Sequence, residues 1–193
     1  VGDVYLVETP NNYIRNVYLQ LNPDDFSQAV FKLQMATKSS RQKVILEIPE
    51  LDYKEEFGTD SSGFIRENII ITPELWSPSN PKLYKVIISS QNESISDEIG
   101  FRSIKTKGQK IFLNDNEIKF KGIAMHSEPI GEPGPAFSKE HFKKLLATAS
   151  DLNINFIRAA HYPYTRHLAK VADQVGLMVW EEIPVYWNID WEN

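Results

Sequence analysis

The stretch KGIAMH at residues 121–126 is an apolar run that ends in a polar side chain. The same pattern recurs as IRAAHYP at residues 157–163 and as VWEEIP at residues 179–184, and segments with helical periodicity lie between them. A succession of strand, helix, strand, helix and strand implies parallel pairing through right-handed crossovers. It is typical of the start of a (β/α) barrel, in which the chemistry takes place where the strands end.

The two helical segments each carry apolar side chains on one face. Ser138 can cap the first helix by accepting backbone N–H bonds, and Gly176 can close the second in a left-handed turn. The apolar faces consist of Phe142, Leu145, Leu146, Ala149 and Leu152 in the first helix and of Leu168, Val171, Ala172 and Val175 in the second. These faces predict helices that pack on one side of a parallel sheet.

Three strands do not close a barrel, which needs eight. We therefore expect the third strand to present an unpaired edge and the helices to leave apolar surface uncovered. Such a chain is either the beginning of a longer barrel or forms a homo-oligomer through the uncovered edge. A complete small α/β domain is the remaining alternative.

The upstream part of the chain alternates between apolar and polar residues, which predicts strands at 13–21, 29–35, 44–48, 69–71 and 83–88. Clusters of Asn, Asp, Ser, Gly and Pro separate them. Short strands at this spacing, without a convincing helix, favour an antiparallel β-sandwich of immunoglobulin type. A hairpin follows, with strands at 111–113 and 118–120 and a polar turn at 114–117.

The composition limits the kinds of partner and the cellular compartments that we expect for this protein. A net charge of −5 without a Lys/Arg stripe argues against nucleic acid. The absence of cysteine excludes disulfides and thiolate metal sites. Neither a signal peptide nor a membrane span is visible. We expect no membrane partner and a soluble protein, cytoplasmic or, where a longer protein supplies a leader, periplasmic or secreted.

Several motifs resemble those of glycoside hydrolase family 2. In the upstream part these are LWSPSNPKLY at 75–84 and GFRSI at 100–104, and downstream they are Arg158 with HYP at 161–163 and the run 176–184. The motifs keep the family's order over about residues 13–187. The resemblance implies a retaining β-glycosidase of the β-galactosidase, β-glucuronidase or β-mannosidase kind, acting on a carbohydrate substrate.

The resemblance also implies a division into domains. Residues 1–104 would be the immunoglobulin-like β-sandwich, and residues 105–193 the first three β/α units of a truncated (β/α)8 TIM barrel. In the family, the acid/base Glu follows the fourth barrel strand and the nucleophile Glu follows the seventh. We therefore assign no catalytic residue here and expect the chain alone to be inactive. The alternative is a non-catalytic carbohydrate-binding or interaction module with a degenerate α/β unit.

Three residues near the ends of the barrel strands are candidates for substrate binding. His126 ends the first strand, and Arg158 and His161 end the second, on the face that surrounds a barrel's substrate pocket. An imidazole can hydrogen-bond sugar hydroxyls, and a guanidinium can orient a carboxylate with two bonds. In the family, histidines at the positions of His126 and His161 contact the sugar.

Four further residues are expected to support the pocket. Glu181 and Glu182 are neighbours on a strand and point to opposite faces, so they cannot form one catalytic pair. We expect one to lie among the polar groups of the barrel and the other to bind backbone or Arg158. Tyr162 and Trp180 belong to an aromatic group, with Tyr164, Tyr186, Trp187 and Trp191, that suits either sugar stacking or barrel packing.

We expect neither a metal nor another cofactor. Some galactosidase-like members of the family hold Mg²⁺ through a carboxylate shortly after the third barrel strand. The matching position here is Tyr186, which is a poor ligand for a hard cation.

Overall fold

The computed structural model describes residue 4 and residues 6–39, 41–128, 131 and 134–184. They form two compact units. The first takes up the described residues of 6–76 and 82–118, and the second takes up residue 4 and the described residues of 77–81 and 119–184. The hairpin after residue 103 lies in the first unit, while the domain boundary at residues 104 and 105 stays a prediction.

The first unit contains two antiparallel sheets. One has three strands in the order β1-β2-β5 and the other has four in the order β4-β3-β6-β7. A 3-10 turn at Pro49–Leu51 links β3 to β4. The strands are β1 Ile14–Asn22, β2 Asp25–Met35, β3 Lys43–Ile48, β4 Tyr53–Gly58, β5 Phe64–Ile70, β6 Tyr84–Ser90 and β7 Ser94–Ile99.

Alternate residues of the inner strands form the core of this unit. Phe31 and Leu33 of β2 are buried together with Val44 and Leu46 of β3, whereas Lys32 points outward. A period of two is what a sheet with one buried face requires. The predicted sandwich is confirmed.

The strands β4 and β7 are absent from the sequence-based prediction. They form the two edges of the four-stranded sheet, and their sequences YKEEFG and SISDEI are polar and largely exposed. Lys54 and Glu47 form a 2.9 Å ion pair between β4 and β3. Charged side chains discourage an edge strand from pairing with another chain, and they also remove the apolar alternation by which a strand is recognised.

The predicted hairpin is part of a three-stranded antiparallel sheet in the order β10-β9-β8, and its turn is tighter than predicted. The strands of this sheet are β8 Ile104–Lys107, β9 Lys110–Leu113 and β10 Asn116–Glu117. Asn114 and Asp115 have φ of 51° and 62° and alone make the turn between β9 and β10. Positive φ at both central residues is the geometry of a two-residue type I′ turn, and Asn and Asp tolerate it well. The predicted turn at 114–117 and strand at 118–120 were therefore wrong.

The second unit contains a parallel three-stranded sheet in the order β11-β12-β13. Its elements are β11 Gly122–Met125, α1 Lys139–Asp151, β12 Phe156–Ala159, α2 Arg166–Val175 and β13 Met178–Glu181. Ser138 Oγ accepts the N–H of His141 at 3.2 Å, and Gly176 ends α2 with φ of 78°. The predicted start of a barrel is confirmed.

The two helices cover one face of this sheet. Phe142 and Leu146 of α1, Leu168 of α2, and Ile157 and Ala159 of β12 form one buried cluster. Leu152 and Val175, which were predicted to lie on the apolar faces, are 57% and 42% exposed because they stand at the helix ends. No helix among the described residues has both the length and the apolarity to cross a membrane.

Exchanging Gly63 for alanine should destabilise the sandwich. Gly63 has φ of 78°, and a Cβ there would lie 2.5 Å from the Thr37 carbonyl oxygen, so we expect a loss of more than about 1 kcal/mol. Urea unfolding followed by circular dichroism measures it. Gly58→Ala is the matched control, since the nearest atom to its Cβ is 3.8 Å away. Equal effects of both changes would contradict the prediction.

Candidate active site

The side chains singled out in the second unit meet at the carboxyl edge of the parallel sheet. His126 directly follows β11, His161 lies two residues past β12, and Glu182 directly follows β13. The three strands are in register, with Ala124, Arg158 and Trp180 side by side on the same face. Carboxyl ends of parallel strands lie at one edge, where (β/α) folds place their ligands.

Glu182 joins Arg158 and His161 in one cluster. Arg158 Nε donates to Glu182 Oε1 at 2.6 Å, and His161 Nδ1 lies 2.9 Å from Glu182 Oε2. The Glu182 side chain is 19% exposed, whereas those of Arg158 and His161 are 46% and 43% exposed. The carboxylate thus forms the inner part of the cluster, and the two basic side chains remain accessible at its rim.

The geometry fixes the proton on His161. A carboxylate only accepts hydrogen bonds, so Nδ1 donates to Glu182 and the acceptor lone pair of a neutral ring lies on Nε2. The 3.4 Å separation between Arg158 Nη2 and His161 Nδ1 then joins two donors. Arg158 and His161 are therefore close to each other because both bind the Glu182 carboxylate.

The hydrogen bond from Arg158 is the main cause that lowers the pKa of Glu182 below its ordinary value of 4.5. Burial opposes this shift, and the hydrogen bond and charge of His161 add to it. The carboxylate therefore remains ionised in mildly acidic solution, as the cluster requires.

The cluster should persist as the pH falls through 4.5. Because the pKa of Glu182 is lowered on folding, its stabilising contribution is complete above 4.5 and is lost as the pH falls through the lower folded value. A carbon-13 titration of the Glu182 carboxyl group measures this midpoint. In Arg158→Ala the midpoint should move up towards 4.5, and an unmoved midpoint would count against the role of Arg158.

His126 lies beside this cluster. Its ring centroid is 5.5 Å from that of His161, in an edge-on arrangement at 69°, and 6.4 Å from that of Tyr162. The structure thus brings together all three residues predicted to bind substrate. Their contact with a sugar stays a prediction.

Tyr162 and Tyr164 fasten the loops that carry the two histidines. Their rings stack with centroids 5.2 Å apart, and Tyr162 Oη lies 3.0 Å from Oγ of the buried Ser127. Tyr164 Oη donates to the carbonyl oxygens of Met125 and Ala160, at 2.8 and 3.1 Å. Burial, followed by the neighbouring Tyr162, raises the pKa of Tyr164, so its hydroxyl remains a neutral donor.

The two adjacent glutamates point to different partners. Glu181 Oε1 accepts the backbone N–H of Tyr164 at 2.9 Å, while Glu182 binds Arg158. The two carboxylates therefore do not form a pair that flanks one bond. Trp180 is 58% exposed and lies next to Arg158 in the sheet register.

Sequence reasoning assigned no role to Ser127 and placed Tyr164 only in a general aromatic group. The spacing Tyr162-x-Tyr164 is a signal for two rings on the same side of an extended segment. Tyr186, Trp187 and Trp191 lie outside the described residues. Within residues 4–184 as far as they are described, no three His, Asp or Glu side chains are placed to hold a metal ion.

Comparison with known families covers both units. The profile of "Glycosyl hydrolases family 2" matches residues 12–102, and that of "Glycosyl hydrolases family 2, TIM barrel domain" matches residues 104–189. The chain is 33% identical over 176 residues to a β-galactosidase of Actinobacillus pleuropneumoniae. This alignment covers 90% of this chain and 17% of the relative. It is 31% identical over 123 residues to a β-glucuronidase of Bacteroides fragilis. That alignment covers 60% of this chain and 18% of the relative.

A solved structure agrees with both units. The β-glucuronidase of Faecalibacterium prausnitzii superposes with a TM-score of 0.74 at 25% identity, over 91% of this chain and 29% of that one. The chain thus spans about a fifth of the length of the curated relatives. With both of its units matched, the chain belongs to glycosyl hydrolase family 2.

Proposed function

We propose that this chain forms one wall of the active site of a retaining β-glycosidase that acts on β-galactosides or β-glucuronides. The observation that carries the proposal is the cluster in which Glu182 holds Arg158 and His161 at the carboxyl edge of a parallel sheet. Ion pairs at a protein surface contribute little to stability. This one leaves its two basic groups accessible at the edge where a barrel binds its substrate.

In this proposal, His161 and His126 hydrogen-bond sugar hydroxyls. The bond from Nδ1 to Glu182 fixes the His161 ring and directs Nε2 away from the carboxylate. Arg158 positions Glu182 and presents its guanidinium to a carboxylate of the site or of the sugar. The exposed faces of Trp180 and Tyr162 stack on the C–H surface of the sugar.

Bond cleavage itself requires two carboxyl groups that this chain does not supply. A glutamate would displace the leaving group and form a glycosyl-enzyme, while a second glutamate protonates the leaving oxygen and then activates water. We place both on later barrel strands, after the sandwich of residues 1–104 and the barrel start of residues 105–193. In the 193-residue chain by itself, where no later barrel strand pairs with β13, we propose that the edge of β13 favours self-association.

The proposal is tested on the enzyme that contains this segment. It should release nitrophenol from an aryl β-galactoside or β-glucuronide, and the first sugar product should keep the β configuration in proton NMR. The 193-residue chain, assayed alone, should show no turnover. Inversion at the anomeric carbon would refute the mechanism, and turnover by the chain alone that is abolished in Glu181→Gln or Glu182→Gln would overturn the placement of the catalytic pair.

A further inference from the structure

The outer face of the three-stranded sheet carries polar, basic and aromatic side chains. Nine of its residues form three rows of register partners across β1, β2 and β5. The rows are Asn16, Gln34 and Phe64, then Tyr18, Lys32 and Arg66, then Gln20, Val30 and Asn68. We call these nine residues the outer platform. None of them is acidic, although the chain has a net charge of −5.

The middle row places two cations directly opposite each other. Lys32 and Arg66 are register partners on neighbouring strands, and like charges in this relation destabilise a sheet. Arg66 has one acidic neighbour, Asp60, at 3.2 Å. Within the described part of the chain Lys32 forms no ion pair. Asp60 and the Tyr18 ring compensate these charges only in part, and a local conflict of this kind is typical of a functional position.

The other platform residues suit a sugar. Tyr18 is 44% exposed, and the Lys32 ammonium group lies 5.2 Å from the centroid of its ring. The Arg66 guanidinium carbon lies 4.3 Å from the centroid of the Phe64 ring, which holds the guanidinium in a defined plane. Aromatic rings can cover the C–H face of a pyranose, and Asn and Gln side chains offer both donors and acceptors to hydroxyl groups.

The first two rows also shape a depression. Six platform residues line a cleft of about 310 Å³ together with the apolar Val17 and Leu33; the six are Asn16, Tyr18, Lys32, Gln34, Phe64 and Arg66. Neighbouring strands are about 4.8 Å apart, so the middle row extends over roughly 10 Å. This is about the length of a disaccharide and too little for a protein interface of ordinary size.

We propose that the outer platform binds an anionic oligosaccharide, whose carboxylate or sulfate group lies between Lys32 and Arg66. Tyr18 stacks on the neighbouring sugar, and the amides of Asn16 and Gln34 bind its hydroxyls. Asn16 Nδ2 already donates to Gln34 Oε1 at 3.1 Å, which fixes both amides. All nine residues belong to the sandwich unit, so the inference stands independently of the activity proposed for the barrel.

Nucleic acid fits this surface less well. Two cations on a chain of net charge −5 neutralise few phosphates, and affinity for nucleic acid depends on their number. Amide side chains outnumber basic ones on the platform, which favours a ligand rich in hydroxyl groups and carrying separate single charges.

The test is calorimetric titration of the 193-residue chain with two pairs of probes. The first pair is oligogalacturonate and its methyl ester, and the second is dextran sulfate and dextran. We expect at least one anionic probe to bind, and its uncharged counterpart to bind at least about tenfold more weakly. Preference for oligogalacturonate identifies a carboxylate ligand, and preference for dextran sulfate identifies a sulfate ester.

Variants tie the binding to the platform. Lys32→Ala and Arg66→Ala should each weaken it roughly tenfold. Lys85→Ala removes the same charge from an exposed position of the other sheet and should leave it unchanged. The melting temperature of Lys32→Ala should not fall, because the change relieves a repulsion.

Four results would overturn the proposal. One is the absence of binding by both anionic probes. Another is an equal loss of affinity in Lys85→Ala and Lys32→Ala, which would indicate attraction to net charge alone. The third is tighter binding of a DNA oligonucleotide than of either saccharide. The fourth is a dimer in sedimentation that Arg66→Ala dissociates.

Discussion

Replacing Arg158 by alanine in the proposed full-length β-glycosidase should lower kcat/KM by roughly 100-fold or more. Under the proposed function, Arg158 acts on the substrate through Glu182 and His161, which form hydrogen bonds within one cluster. Without the guanidinium, Glu182 loses its 2.6 Å partner and the His161 ring loses its fixed position. A displacement of about 1 Å in such a group can cost about 100-fold in rate.

The lysine variant separates charge from geometry. Lysine keeps the positive charge but lacks the planar fork that binds a carboxylate, so Arg158→Lys should recover only a small part of the activity. The acidic limb of the pH profile should move to higher pH in Arg158→Ala, because the pKa of Glu182 is then no longer lowered by its main partner. Lys85→Ala, in the sandwich, serves as the control for a lost positive charge.

A merely structural role for Arg158 predicts something different. The melting temperature would fall, and kcat/KM measured well below that temperature would remain within a few-fold of the original, with an unshifted pH profile. That result would remove Arg158 from the active site.

The barrel start could be predicted from sequence because each of its elements carries a strong local signal. The faces of α1 and α2 repeat with helical period, and the strands between them are nearly continuous apolar runs. The strand ends were less well predicted. The sequence predicts strands at 154–160 and 177–183, whereas pairing stops at Ala159 and Glu181, because ladder hydrogen bonds depend on the neighbouring strand.

The edge strands of the sandwich show the opposite case. Nothing in SISDEI distinguishes a strand from a polar loop, and its place in the sheet comes from pairing with β6. The predicted turn at 114–117 was longer than the observed turn at Asn114 and Asp115, and the reason is similar. Asn116 pairs with Leu113 in the hairpin, and the type of neither residue indicates this pairing.

The candidate site divides in the same way. Strand alternation alone indicated that Glu181 and Glu182 face different partners, and the structure gives each a separate one. Which of them binds Arg158 depends on the course of the backbone past β13, so the sequence left both alternatives open. The role of Tyr164 depends on two backbone carbonyls at the carboxyl ends of different strands, and the spacing of residues in the sequence does not reveal these contacts.

Replacing Trp76 by alanine should unfold the sandwich most readily of all single changes considered. Trp76 is fully buried, the Arg102 guanidinium carbon lies 4.2 Å from the centroid of its ring, and a Cβ on Gly100 would lie 2.6 Å from Trp76 Cδ1. The indole therefore fills a space that the glycine leaves for it. Emptying such a space costs about 3 to 5 kcal/mol in lost contacts and residual cavity.

Trp180→Ala is the matched control, since it removes the same side chain from a position that is 58% exposed. Substitutions at exposed positions usually change stability by less than about 0.5 kcal/mol. Hydrogen exchange at the amides of Phe31 and Val44, deep in the sandwich core, reports the opening of that unit by itself. Trp76→Ala should accelerate this exchange by at least about 100-fold, the equivalent of about 2.7 kcal/mol, and Trp180→Ala should leave it unchanged. Equal rates in the two variants would mean that the neighbours of Trp76 collapse into its place, and that the close approach of Gly100 is not what makes this position indispensable.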